Sequence, residues 1–112
     1  MTHPGVERRI YSRAFSEVYA TFALKEEGKE GLFFSRSLSA GGLSFLSRLP
    51  IPEGTALELS LHLPNLLKPL RTEGRIVHAT PQREGRGFQI GVSFQTLGEI
   101  GKAEIRQFVE GK

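Results

Sequence analysis

Residues 55–63 read Thr55-Ala56-Leu57-Glu58-Leu59-Ser60-Leu61-His62-Leu63. Leucine holds every odd position from 57 to 63, and Glu58, Ser60 and His62 stand between. A strict period of two puts the leucines on one face and the polar residues on the other, which marks a half-buried β-strand and not a helix. One buried and one wet face point to an antiparallel sheet. Before this strand, Pro50, Pro52 and Gly54 mark a turn. Proline withholds ladder donors there, and glycine permits positive φ. Pro64 ends the strand, and Pro69 closes the loop that follows.

Outward from this strand, the same short β-type runs recur, separated by Gly and Pro. Residues 14–24 form a first strand with apolar residues on both faces, Phe15, Tyr19, Thr21 and Ala23 on one and Val18, Phe22 and Leu24 on the other. The charged stretch Lys25-Glu26-Glu27-Gly28-Lys29-Glu30-Gly31 is a loop between antiparallel strands. Residues 32–38 make a second strand. Gly41-Gly42 interrupts the pattern, and 43–47 resumes it as a third. Residues 70–79 and 86–94 are two more, joined by a polar turn around Pro81 to Gly85. The tail then changes period. Leu97, Ile100, Gly101, Ile105, Phe108 and Val109 repeat at three and four, which predicts an amphipathic helix. Thr96 and Glu99 stand as a capping box at its start. Six strands with short connections and one terminal helix predict an all-β chain, a six-stranded antiparallel barrel with the helix over an open end or edge.

The composition agrees and excludes several classes of function. At 112 residues the expectation is one domain. With 38% hydrophobic and 24% charged residues, the balance is that of a globular chain and not a disordered one. No apolar run approaches the roughly 20 residues of a membrane span. The N-terminal stretch is polar and basic, without the apolar core of a signal peptide. No internal repeat divides the chain. The absence of cysteine excludes disulfides, thiolate metal sites and cysteine nucleophiles. All twelve acidic residues are Glu, so Asp-based metal clusters and dyads are excluded as well. His3, His62 and His78 are too scattered for a spaced ligand set. Ten of the fifteen basic residues are Arg, and the net charge of +3 is a modest lean toward anionic partners.

Two constellations carry chemistry. The first is Arg8-Arg9-Ile10-Tyr11-Ser12-Arg13, a polar arm ahead of the first strand. A guanidinium donates a bidentate fork to a phosphate or to guanine O6 and N7, and its flat face stacks on a purine. The second is Ser37-Leu38-Ser39-Ala40-Gly41-Gly42, at the junction of the second and third strands. Small residues there let a ligand approach the backbone, with hydroxyls and amides offering hydrogen bonds.

An Arg-x-x-x-Arg arm, a strand, a D/N-x-S-x-x-G turn and then a strand-rich barrel is the pattern of the PilZ domain, which this sequence resembles from about Arg8 to Val109. Leu59-Ser60-Leu61-His62-Leu63-Pro64, Gly74-Arg75-Ile76-Val77 and Ile90-Gly91-Val92-Ser93-Phe94 continue the likeness, and Ser37 follows Arg13 by 24 positions. The resemblance implies a bacterial, cytoplasmic receptor for the second messenger cyclic diguanylate (cyclic di-GMP), with no catalysis and no cofactor beyond that ligand. Arg9 and Arg13 are then the arm pair that grips phosphates and guanines. Ser37, Ser39, Gly41 and Gly42 form the turn that meets the other guanine edge. Arg8 precedes the first of the pair, a place where an Arg goes with two stacked ligand molecules in the family. The implied division is an arm over residues 1–13 and a barrel with its helix over 14–112. Ordering of the arm on binding would present a new surface to an effector protein. The sequence departs from the pattern at Ser37, where the family carries Asp or Asn. A hydroxyl is shorter and donates one bond at most, so a weaker or water-bridged contact is expected.

Plainer readings stand beside these. The arginines alone would be a solvated arm, and Gly41-Gly42 a bulge or turn between strands. Phe15, Phe22, Phe33, Phe45, Phe88 and Phe94 read as core, while Tyr11 lies in the arm. Arg71, Arg75, Arg83 and Arg86 read as a solvated face, and His62 and His78 as ordinary strand residues. Three functions follow in order. First is the nucleotide-binding adaptor, a monomer or homodimer without membrane insertion. Second is an interaction module that has lost the nucleotide, as in pilus or motility regulation. Third is a small barrel that binds nucleic acid, which needs exposed aromatics beside basic residues, and the strand patterns do not show them. DNA and RNA are therefore not expected partners. An enzyme comes last, since no nucleophile–base pair stands out.

Overall fold

A computed structural model describes residues 18–110 apart from 27 and 65. These residues form seven strands, β1 Tyr19–Leu24, β2 Glu30–Phe34, β3 Ser37–Ser39, β4 Gly42–Ser47, β5 Ala56–His62, β6 Leu70–Pro81 and β7 Phe88–Phe94, and one α-helix, α1 Gly98–Glu110. The strands make one antiparallel sheet in the order β2-β1-β5-β6-β7-β4-β3. The sheet curls around a core in which Leu57, Leu59, Leu61 and Leu63 are all buried, as their alternation predicts. Val18, Ala20, Phe45, Ile76, Ile90 and Val92 complete it from the other strands.

The two ends of the sheet are consecutive in the chain. Between β2 and β3, the Ser35 amide donates to the Val18 carbonyl at 3.1 Å, and the next amide, of Arg36, donates to the Ser44 carbonyl at 2.7 Å. The strand therefore leaves β1 and joins β4 within one residue, and the rings of Phe33 and Phe45 stack across the curl at 3.8 Å. This explains why seven strands replace the expected six. Residues 32–38 are one run in sequence, but the corner divides it into β2 and β3. Phe33 and Leu38 are both buried although they stand five apart, an odd spacing that an unbroken strand would place on opposite faces. The corner absorbs that slip, leaving Arg36 and Ser37 both exposed.

The helix lies against β3 and buries Gly101 and Ile105, with Leu97, Phe108 and Val109 packed at the core margin. Ile100, assigned to the same face by spacing, is 79% exposed. At 100° per residue it lies about 140° from Ile105, outside the stripe. The capping box is also replaced, because the Thr96 hydroxyl accepts the Glu73 amide at 2.9 Å and so ties the helix entry to β6.

Leu61 is fully buried. Leu61→Ala should cost about 2–5 kcal/mol through lost burial and the cavity left behind. Leu46→Ala, on an exposed side chain of β4, should stay within about 0.5 kcal/mol. Chemical denaturation of the two variants checks this contrast.

Candidate ligand-binding site

The stretch Ser37 to Gly42 folds as the β3–β4 hairpin, with Ser39 paired to Gly42 across a two-residue turn of Ala40 and Gly41. The Ser39 hydroxyl builds the turn, accepting the Gly41 amide at 3.2 Å and donating to the Gly42 carbonyl at 3.4 Å. The Phe94 amide donates to the Gly41 carbonyl at 2.9 Å, pinning the tip to β7. The two glycines differ in what they do. A Cβ at Gly42 would lie 2.0 Å from the Val92 carbonyl oxygen, so β7 approaches too closely for any side chain there. A Cβ at Gly41 would meet only the Ser39 hydroxyl, at 3.9 Å.

Register carries the site across the sheet. Ser37 on β3 pairs with Ser44 on β4, Ser44 with Gly91 on β7, and Gly91 with His78 on β6. These four line a shallow groove of about 280 Å³ together with Ser39, Gly42 and Val77. Its floor is Ser and Gly. The Ser37 and Ser44 hydroxyls bond each other at 2.7 Å. The imidazole of His78 lies over Gly91, where a Cβ would stand 2.2 Å from its Cε1. A bulge between Ile76 and His78 leaves Val77 and His78 both exposed, so together they form one wall. Arg75, in the row beside, turns away and donates to the Gly54 carbonyl at 3.2 Å.

Of the residues singled out in the sequence, Ser37, Ser39 and Gly42 therefore share this groove, and Gly41 sits at the hairpin tip. Arg8, Arg9 and Arg13 lie outside the described residues. Ser44, Val77, His78 and Gly91 were missed, because cross-strand register is not written in one sequence. The available signal was Gly91 inside an apolar strand, where glycine marks a close approach. The groove lining itself carries neither carboxylate nor guanidinium. Among the described residues no three acidic or imidazole side chains gather as a metal site would need, and no helix is long and apolar enough to cross a membrane.

The molecule is thus a curled antiparallel sheet with a hydroxyl-lined groove beside its β3–β4 hairpin. The chain belongs to the PilZ domain family, whose model matches residues 7–111. Domains of this family act in binding and as adaptors, many of them toward cyclic di-GMP. Among solved structures, the fold is similar to the Bacillus subtilis inhibitor of motility MotI/DgrA, with a TM-score of 0.69 and 16% identity, covering 84% of this chain and 46% of that one. MrkH of K. pneumonia in its apo state gives 0.67 and 16%, covering 84% and 45%. The PilZ domain of YcgR from Escherichia coli, solved with c-di-GMP, gives 0.61 and 10%, covering 87% and 82%. At these identities the likeness is one of fold, and this chain spans about half the length of MotI/DgrA and MrkH. No curated protein matches the sequence.

The two turn glycines separate packing from ligand contact. Gly42→Ala should destabilise by about 3 kcal/mol or more, since the obstructing atom is a backbone carbonyl and cannot rotate away. Gly41→Ala should stay within about 0.5 kcal/mol. Thermal unfolding of both checks the difference.

Proposed function

We propose that this chain is a cytoplasmic bacterial adaptor that binds cyclic di-GMP between its N-terminal arginine arm, residues 1–13, and the Ser37–Gly42 turn, and that signals to an effector protein by ordering that arm. One observation carries the reading. Val18, where the arm's chain enters the barrel, is bonded to Ser35, two residues before Ser37. Arg13 is five residues from Val18 and can reach at most about 18 Å from it. The chemistry of the groove supports a purine as the ligand. The groove has a flat Ser and Gly floor, hydrogen-bonding hydroxyls, and an imidazole at one wall on which a base can stack. What its lining lacks is charge for the phosphates, and Arg8, Arg9 and Arg13 would supply it.

Ser37 is the specific observation for a second reading, in which the nucleotide has been lost and the domain works by protein contact alone. Its hydroxyl already bonds Ser44. One of the two protons is used in that bond, which leaves one donor and several lone pairs for a ligand. A neutral bond contributes about 0.5–1.5 kcal/mol and a charge-assisted one about 1.5–3, so serine weakens this contact by roughly tenfold without abolishing it.

Calorimetric titration with cyclic di-GMP decides between the two. Under the first reading the wild-type chain binds, and Arg9→Ala and Arg13→Ala each weaken binding by roughly ten- to a hundredfold. Ser37→Asp tightens it about tenfold by restoring a charged acceptor. A ratio near two nucleotides per chain supports the role given to Arg8. No heat from wild type or from Ser37→Asp would leave the protein-contact reading standing.

A further inference from the structure

The outer face of β2, β1 and β5 carries a feature unrelated to the hairpin groove. Phe34, Tyr19 and His62 form one cross-strand row. The Tyr19 and His62 rings stack flat at 4.4 Å, and the Phe34 ring tilts against Tyr19 at 5.9 Å. Phe34 is 62% exposed, and its neighbour Leu32 is 54% exposed. Two large apolar side chains facing water on an end strand are what proteins normally avoid, and such a patch marks a docking surface.

An open groove of about 810 Å³ runs from Leu32 along this face to a row of carboxylates. Glu30, Glu58 and Glu73 stand in register with Ala23, one on each of β2, β5 and β6. Among the described residues, the cations that line this groove are Lys25, 3.7 Å from Glu73, and Arg71, in the row between. The carboxylate row is therefore net negative, and it lies four residues along the strand from the aromatic row, about 13 Å.

We propose that this face is the effector-docking surface of the adaptor, and that its occupant is a protein segment with apolar residues at one end and Lys or Arg about 13 Å away. The aromatic row covers the apolar end and the three glutamates meet the cations. Nucleic acid fits poorly, because the Tyr19 and His62 faces are turned to each other and not to a base, and the glutamates repel phosphates. The inference deepens the adaptor reading and rests on it. It also links the two sites, because Leu32 and Phe34 lie on the same bent strand as Ser37 and Ser39, on the other side of the corner.

The test uses the full chain without nucleotide and two synthetic 16-residue peptides, each with a Leu/Phe half followed by a Lys/Arg half or by a Glu half. Binding is followed by fluorescence anisotropy and mapped by NMR shifts. The Lys/Arg peptide should bind at least tenfold more tightly and shift the amides of Tyr19, Leu32 and Phe34. Phe34→Ser should weaken it at least tenfold, and Glu58→Lys should reverse the preference toward the Glu peptide, which a merely misfolded variant would not do. Both variants should titrate cyclic di-GMP as wild type does, so failure of docking and failure of nucleotide binding are read separately. The proposal is overturned if neither peptide binds, if both bind equally, or if binding survives Phe34→Ser. It is equally overturned if a single-stranded oligothymidylate produces the same shifts, or if sedimentation shows a self-association that Phe34→Ser abolishes.

Discussion

Most of this molecule's architecture depends on two consecutive amides, of Ser35 and Arg36, that donate to opposite ends of one sheet. An antiparallel sheet of this size has two edges, each a row of unpaired donors and acceptors. Curling the sheet brings the edges together, but pairing them needs a strand able to serve both. The run from Glu30 to Ser39 does so by turning at Ser35, whose buried hydroxyl also donates to Val18 at 3.4 Å. The turn changes which face of the strand carries what. Before it, Leu32 and Phe34 point outward, and after it Ser37 and Ser39 do. One strand thus presents an apolar outer face on one side of the corner and a hydroxyl-bearing one on the other.

Much of this was legible in the sequence where burial and period agree. The four leucines from 57 to 63 fix the face of β5, and a one-residue slip would expose all of them, so this strand and its share of the core followed from the pattern alone. The helix was legible as an element and less so as a face. Ile100 is apolar and near the right spacing, but packing of Leu97, Gly101 and Ile105 decides the stripe and leaves it outside. The corner was hidden for a different reason. Leu32, Phe33 and Phe34 are all apolar, so parity gives no preferred face until tertiary pairing chooses one. The exposed aromatic row was invisible for the same reason. Tyr19 and His62 are 43 positions apart in sequence, and only the pairing of β1 with β5 makes them neighbours.

The two outer faces divide their chemistry cleanly. The hairpin groove is neutral and its floor is built from the smallest side chains, which suits a flat ligand that brings its own charge. The face of β2, β1 and β5 has large rings and carboxylates, which suits a bulky partner with the opposite charge. Burial explains why both kinds of surface coexist on one small sheet. Apart from Thr72, the buried inner positions of the strands are apolar or glycine, so nearly all chemical variety is carried by the alternate positions. In a strand of period two those positions are fixed once the core is fixed.

That rule would make every outer row equally spaced, and the hairpin groove departs from it at both walls. At the β3 wall the corner leaves Arg36 and Ser37 outside in succession, of which Ser37 lines the groove and Arg36 does not. At the β6 wall the bulge does the same for Val77 and His78. Each slip gives up a regular ladder step and gains a doubled outward pair, and at β6 both members of that pair line the groove. Between the walls, Gly42 and Gly91 keep the floor low. A side chain at the first would strike the backbone of β7, and one at the second would displace the His78 ring. Depth in an otherwise convex barrel surface comes from this combination of two irregularities and two glycines. The groove is therefore a property of the backbone as much as of the side chains that line it.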